Sequence, residues 1–181
     1  MFSLPSPFCS FKWLKVSIYS CILTYSCVIA VNFDFKVSHL AVALGCAACV
    51  SGARLLLLQR WQAFAEATDK SNQQVLQNLA PFDLLWVSFL PGISEELLFR
   101  GALIPSLYPD WRGVVIAGMG FGILHNSGGR NWSFAGWASV VGIVYGFAFV
   151  QTHDILVPMA AHSLANLASA SLWLNSRGRR G

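Results

Sequence analysis

The sequence has few charged residues and many apolar ones. Aspartate, glutamate, lysine and arginine make up 11% of the 181 residues, whereas 55% of the residues are apolar. Soluble domains carry about 25% charged residues, so this composition excludes an ordinary soluble protein. We expect the lipid bilayer to surround the chain, and we expect no nucleic acid as a partner.

Several motifs are missing as well. No HExxH pattern of a zinc peptidase occurs. Cys46-Ala47-Ala48-Cys49 has no second CxxC to complete a four-sulfur site, so we interpret these cysteines as small packing residues. Residues 1–33 contain no acid and several serines, as an organelle transit segment does, although arginine is missing there.

Six apolar runs are each near the length of about 20 residues that crosses a bilayer. They cover residues 16–33, 40–58, 82–108, 113–127, 133–152 and 155–174. We therefore predict an all-α, polytopic membrane protein with about six transmembrane helices and one domain, residues 1–181. With this division, nine basic residues lie on one side and two on the other. This asymmetry places both termini on the positive side.

The connector between the second and third runs, residues 59–80, mixes aromatic and polar residues. An interfacial amphipathic helix and a solvated connector helix both fit this composition. We assign no catalytic role to it.

Acids and histidines interrupt the later apolar runs. Glu95, Glu96, His125 and His162 are costly inside a bilayer, so such residues usually serve function. Glu96 and Arg100 are four residues apart, in the order that favours an ion pair within a helix. Glu95 points about 100° away from Glu96, which leaves it free for chemistry.

The pair Pro91-Gly92 precedes these glutamates. It predicts a new helix that starts nearby, with Ser94 as the cap and both glutamates in the first turn. The dipole of such a helix would stabilise the carboxylates, whereas burial would oppose their charge.

His162 and Asn166 lie four residues apart and therefore share one face of the last predicted helix. Glu95 with His125 can activate a water molecule, and His162 with Asn166 can stabilise an oxyanion. A zinc site of Glu95, His125 and His162 is the alternative. In a purely structural alternative, the histidines are packing residues and Glu96–Arg100 is an ion pair that holds helices together.

Three motifs now stand in order in successive apolar runs: EExxxR at residues 95–100, FxxxH at residues 121–125 and HxxxN at residues 162–166. Together they resemble the CAAX-protease and bacteriocin-processing (CPBP) family, which includes the type II CAAX prenyl endopeptidases. The resemblance covers residues 82–174. It implies transmembrane helices that enclose a polar intramembrane cavity.

The resemblance also implies an activity, that of a hydrolase like CAAX prenyl protease 2. Glu95 and His125 would activate the attacking water, and His162 and Asn166 would stabilise the oxyanion. Supporting residues would be Glu96, Arg100 and Phe121. The expected partner is a membrane protein or peptide substrate, prenylated proteins included, and no cofactor is expected, with zinc as the alternative. We expect a chloroplast membrane, or alternatively a bacterial inner membrane. A non-catalytic membrane scaffold on the same fold is the second functional hypothesis.

Overall fold

The chain folds almost entirely into helices. The structure is a computed structural model that describes residues 16–20, 27–31, 33, 36–77, 79–80 and 82–178. In chain order, the elements are the strands β1 (Val16–Ser20) and β2 (Cys27–Val31), the helices α1 (Val37–Arg60), α2 (Gln62–Leu76) and α3 (Asp83–Glu96), a π-helix (Leu97–Leu103), and the helices α4 (Ile104–Leu107), α5 (Trp111–Leu124), α6 (Trp132–Thr152) and α7 (Leu156–Gly178). The predicted all-α class is confirmed.

The predicted first span, residues 16–33, is wrong as a helix. β1 and β2 pair antiparallel, with Val16 opposite Val31 and Ser20 opposite Cys27. Both strands are rich in β-branched residues, which favour strands. Each strand has only 5 residues, and an apolar stretch of that length does not by itself distinguish a strand from a buried helix. The other five predicted runs fall in helices. Of the serine-rich start, residues 1–33, residues 1–15, 21–26 and 32 lie outside the described residues.

The helices have the polarity of a membrane protein. Within the described chain, α1 and α6 are long and apolar enough to cross a bilayer, and α5 is apolar but shorter. In α3, Ser88 and Glu96 are buried while Trp86 and Leu90 are exposed. A polar inner face and an apolar outer face suit a lipid environment. The chain is thus a helical membrane protein.

Helices α5 and α6 pack through glycines. A Cβ atom added at Gly142 would come within 3.0 Å of the Cα of Gly118. Small residues of this kind allow close approach of membrane helices. This packing fixes the position of α5, whose last turn carries Phe121 and leads directly into His125.

Helix α2 packs against the helical bundle. It buries Phe64, Thr68, Ser71 and other residues along one face, and the Phe64 ring stacks on Phe134 with centroids 6.0 Å apart. A solvated connector would not bury these side chains, so that alternative for residues 59–80 is wrong. This packing also brings α2 to the cavity described below.

Candidate active site

Glu95 and Glu96 lie at the C-terminal end of α3, because the helix continues through Pro91. Ser94 does not cap a new helix; its hydroxyl donates to the carbonyl of Leu90, at 2.8 Å. The prediction that a new helix starts here, with the glutamates in its first turn, is therefore wrong. Prolines are tolerated within membrane helices because neighbouring groups satisfy the freed backbone atoms. The chain then enters the π-helix, a rare form that is often found at functional sites.

Gly92 sets how closely α3 approaches α7. A Cβ atom at this position would overlap the Ser163 hydroxyl and come within 2.9 Å of the Ser163 backbone nitrogen. Without a side chain at Gly92, the backbones of the two helices meet directly. The close contact places Glu96, one turn after Gly92, beside His162, the neighbour of Ser163.

Glu96 is the centre of a buried polar network. Its Oε1 accepts hydrogen bonds from Arg100 Nη1, at 3.0 Å, and from His162 Nδ1, at 2.8 Å. Arg100 Nη2 donates to the carbonyl of Gly142, at 2.7 Å. The side chains of Glu96 and Arg100 are 0% and 1% exposed. The predicted Glu96–Arg100 pair is confirmed, and the contact with His162 adds a third helix to it.

Glu95 faces both histidines. Its Oε2 lies 4.0 Å from His125 Nε2 and 3.9 Å from His162 Nε2. These distances exceed direct hydrogen-bond length. Two atoms 4.0 Å apart can nevertheless both lie about 2.8 Å from one water oxygen. Three side chains from distant parts of the sequence therefore converge on one point.

The ring of His125 is fixed at its other nitrogen. Nδ1 lies 2.7 Å from the carbonyl oxygen of Phe121. A carbonyl only accepts, so Nδ1 carries the proton. The Phe121 ring packs against the imidazole with centroids 4.3 Å apart. In the neutral ring, Nε2 is then an acceptor directed towards Glu95.

Asn166 contributes an amide to the same region. It shares with His162 the face of α7 that lines the cavity. Its Nδ2 donates to the carbonyl of Ser88 at 3.4 Å, which is long for such a bond. The amide is therefore only weakly held by the protein.

A cavity of about 290 Å³ adjoins these groups. Glu95, His125, His162 and Asn166 all line it. Further lining residues were not predicted as site residues; the polar ones are Arg54, Ser71, Asn72, Ser88, Arg130, Tyr145 and Ser169. Arginines in or beside the apolar runs, Arg54 and Arg130, are the sequence signal for these residues.

Arg130 brings a positive charge to this cavity from the loop between α5 and α6. Its Nε donates to the Ser71 hydroxyl at 2.9 Å, and its guanidinium lies 4.9 Å from the centre of the Phe134 ring. Burial lowers the pKa of Arg130, and the nearby charge of Glu95 partly raises it again. Glu95 and Arg130 thus interact electrostatically.

The zinc alternative needs three ligating side chains around one point. In the part of the chain that the structure describes, no group of three His, Cys, Asp or Glu side chains has the arrangement to hold a metal ion. A chelation experiment distinguishes metal-dependent from metal-free hydrolysis.

Comparison with known proteins agrees with the three motifs. Residues 77–168, about half of the chain, match the family model described as type II CAAX prenyl endopeptidase Rce1-like. No curated protein and no solved structure matches the chain. The matched range includes Glu95, His125, His162 and Asn166. The chain therefore belongs to the Rce1-like family of type II CAAX prenyl endopeptidases, which are membrane-embedded proteases.

Proposed function

We propose that this protein is an intramembrane endopeptidase that hydrolyses a peptide bond of a membrane-associated protein by means of water activated by Glu95 and His125. The observation that supports the proposal is the approach of Glu95 Oε2 to within 4.0 Å of Nε2 of His125 and 3.9 Å of Nε2 of His162. General bases act at hydrogen-bond distance or through one water, and such distances shorten when substrate binds.

In the proposed reaction, a water molecule lies between Glu95 and His125. The water oxygen attacks the carbonyl carbon of the substrate while Glu95 takes a proton from it, and His125 Nε2 accepts the second hydrogen bond of the water. The tetrahedral intermediate carries its negative charge on oxygen. When the C–N bond breaks, the proton on Glu95 moves to the leaving nitrogen, which restores the carboxylate.

The oxyanion is stabilised by His162 and Asn166. His162 directs Nδ1–H at Glu96, so a donor at Nε2 requires a second ring proton, and the ring then carries a positive charge next to two carboxylates. The Asn166 amide is free to exchange its long bond to Ser88 for one to the oxyanion. Donors of this kind act most strongly where water is excluded.

Glu95→Gln tests the proposal, with Glu66→Gln as the matched control. Glu66 is an exposed glutamate on α2 that pairs only locally with Gln62. We compare the newly formed protein termini in membranes of cells that make the native chain or either variant. Loss of a general base lowers turnover by about 100- to 10,000-fold, so termini made by the native chain and by Glu66→Gln should be missing with Glu95→Gln.

The same comparison distinguishes the scaffold hypothesis. Identical sets of termini from all three chains, each present at equal abundance, would contradict the protease proposal. Altered abundance of another membrane protein without any new terminus would favour a scaffold. The shared cavity of Glu95, His125, His162 and Asn166 supports the protease.

A further inference from the structure

Arg54 is a cation in an apolar helix, and it has no counterion among the described residues. It lies on α1, between alanine and a run of four leucines, is half-buried and lines the cavity. Among the residues that the structure describes, none forms a hydrogen bond or an ion pair with it. A charge in an apolar helix is costly, and such charges usually face a partner or a cavity that serves function.

Two further groups of donors face the same cavity. Asn72 Nδ2, on α2, is buried without a hydrogen-bond partner in the described part of the chain. Arg130 uses Nε to bind Ser71, which leaves its two terminal nitrogens available. The donors therefore come from α1, α2 and the loop between α5 and α6. Unsatisfied buried donors are uncommon and call for an explanation.

The charges that line the cavity do not balance. Within the described lining, the charged groups are the cations Arg54 and Arg130 and the single carboxylate Glu95. Glu96 and Arg100 neutralise each other outside the lining. Glu95 and Arg130 interact electrostatically, so Arg54 is the cation left over. With both histidines neutral, the cavity has an excess of one positive charge, and the second ring proton that His162 needs as an oxyanion donor adds to that excess.

We propose that Arg54, Asn72 and Arg130 form a subsite that binds one carboxylate of the peptide substrate. This inference rests on the proposed function only in taking a peptide as the ligand. The planar fork of a guanidinium matches a carboxylate and can bind it with two hydrogen bonds. A bound carboxylate also offsets the charge of Arg54, the cation left over in the lining. Because the subsite shares its cavity with Glu95, the bound carboxylate sets which peptide bond reaches the proposed catalytic groups.

The carboxylate comes either from the C-terminus of the peptide or from an acidic side chain. Three fluorescein-labelled versions of one apolar hexapeptide distinguish these sources: the free acid, the C-terminal amide, and an amide with one internal aspartate. Binding to the full-length chain in phosphatidylcholine nanodiscs is followed by fluorescence anisotropy. Chromatography of the same samples reports cleavage separately, so that binding is measured even if no peptide is hydrolysed.

We expect at least one carboxylate peptide to bind about 10-fold or more tightly than the plain amide, as for a hydrogen-bonded charge pair. Tight binding of the free acid alone assigns the C-terminus, and tight binding of the aspartyl amide assigns a side chain. Arg54→Gln should lower this preference to about one. Arg60→Gln, an exposed arginine on the same helix, is the control and should keep it.

Asn72→Leu provides a second test that leaves both arginines in place. Because it removes the orphaned donor, the preference for carboxylate should fall several-fold, and the melting temperature shows whether the variant is folded. Equal binding of all three peptides to the native chain would overturn the proposal, as would an unchanged preference in Arg54→Gln. Loss of co-purified anionic lipid from Arg54→Gln, without any peptide preference in the native chain, would assign the cations to a lipid headgroup and overturn it too. Carboxylate-selective binding without cleavage would uphold the subsite and contradict only the protease proposal.

Discussion

Glu96→Gln should destabilise the protein strongly, although glutamine has nearly the same size and shape as glutamate. In the native chain, Glu96 Oε1 accepts from both Arg100 and His162. The glutamine keeps the shape but loses the charge, so Arg100 stays buried, at 1% exposure, without a counterion. Removal of one partner of a buried ion pair costs about 3–5 kcal/mol. For a domain of this size, that loss lowers the melting temperature by about 6–20 °C.

Thermal unfolding in detergent measures the effect, with Glu66→Gln as the control. Glu66 is exposed, so its variant should melt within about 1–2 °C of the native chain, since surface substitutions change stability by less than about 0.5 kcal/mol. The double variant Glu96→Gln, Arg100→Met removes the buried cation as well and should recover part of the loss, because much of the cost is the unpaired charge.

The outcome separates two roles of Glu96. If Glu96→Gln has the same melting temperature as Glu66→Gln, the buried pair does not stabilise the fold and the energetic reasoning is wrong. Activity recovered in the double variant along with stability would show that the contact between Glu96 and His162 has no part in positioning the histidine. We expect stability to recover without activity.

Three further predictions follow from the site and its packing. Asn166→Ala should lower kcat about 100- to 1,000-fold, which is the effect of losing an oxyanion donor. Asn175 is exposed on the same helix, so Asn175→Ala should leave kcat unchanged. Equal turnover by both variants would remove Asn166 from the mechanism. Gly92→Ala should destabilise the chain by about 1–3 kcal/mol, because the added methyl group overpacks against Ser163. The control Gly45→Ala has nothing within 4 Å of its added Cβ and should stabilise α1 by up to about 1 kcal/mol. Thermal unfolding measures both variants, and similar melting temperatures would contradict the packing argument. Dialysis against strong chelators should leave hydrolysis of a fluorogenic peptide intact, because the proposed base and oxyanion donors are side chains; loss of activity that zinc restores would favour the metal alternative.

Local features of the site could be predicted from the sequence. The Glu96–Arg100 pair needs only that the two residues lie about one helical turn apart, so a spacing of four residues is sufficient to predict it even though Arg100 lies in the π-helix. The 3.6-residue period of an α-helix makes the side chains of Glu95 and Glu96 point in different directions around α3. Glu96 is accordingly buried, while Glu95 lines the cavity. Five of the six apolar runs fall in helices, as their length and composition favour.

Other features could not be predicted, because competing local preferences were close in energy. The first run, residues 16–33, suits a strand or a helix, and its β-branched residues favour the strands that form. A proline commonly ends a helix, yet α3 continues through Pro91. In both cases the sequence permits two structures, and contacts elsewhere decide between them.

The sequence by itself determined that this is a helical membrane protein and which residues are costly enough in a bilayer to suggest chemistry. Only the tertiary structure decided which of them meet. The rotation of each helix about its own axis is set by packing, here by Gly92 against Ser163 and by Gly118 against Gly142. These contacts turn Glu95 and both histidines to one point. The packing of Val50 on α1 against Tyr145 and Ala165 likewise brings Arg54, one turn further along α1, to the cavity. No spacing along the chain reveals this, because these neighbours are distant in sequence.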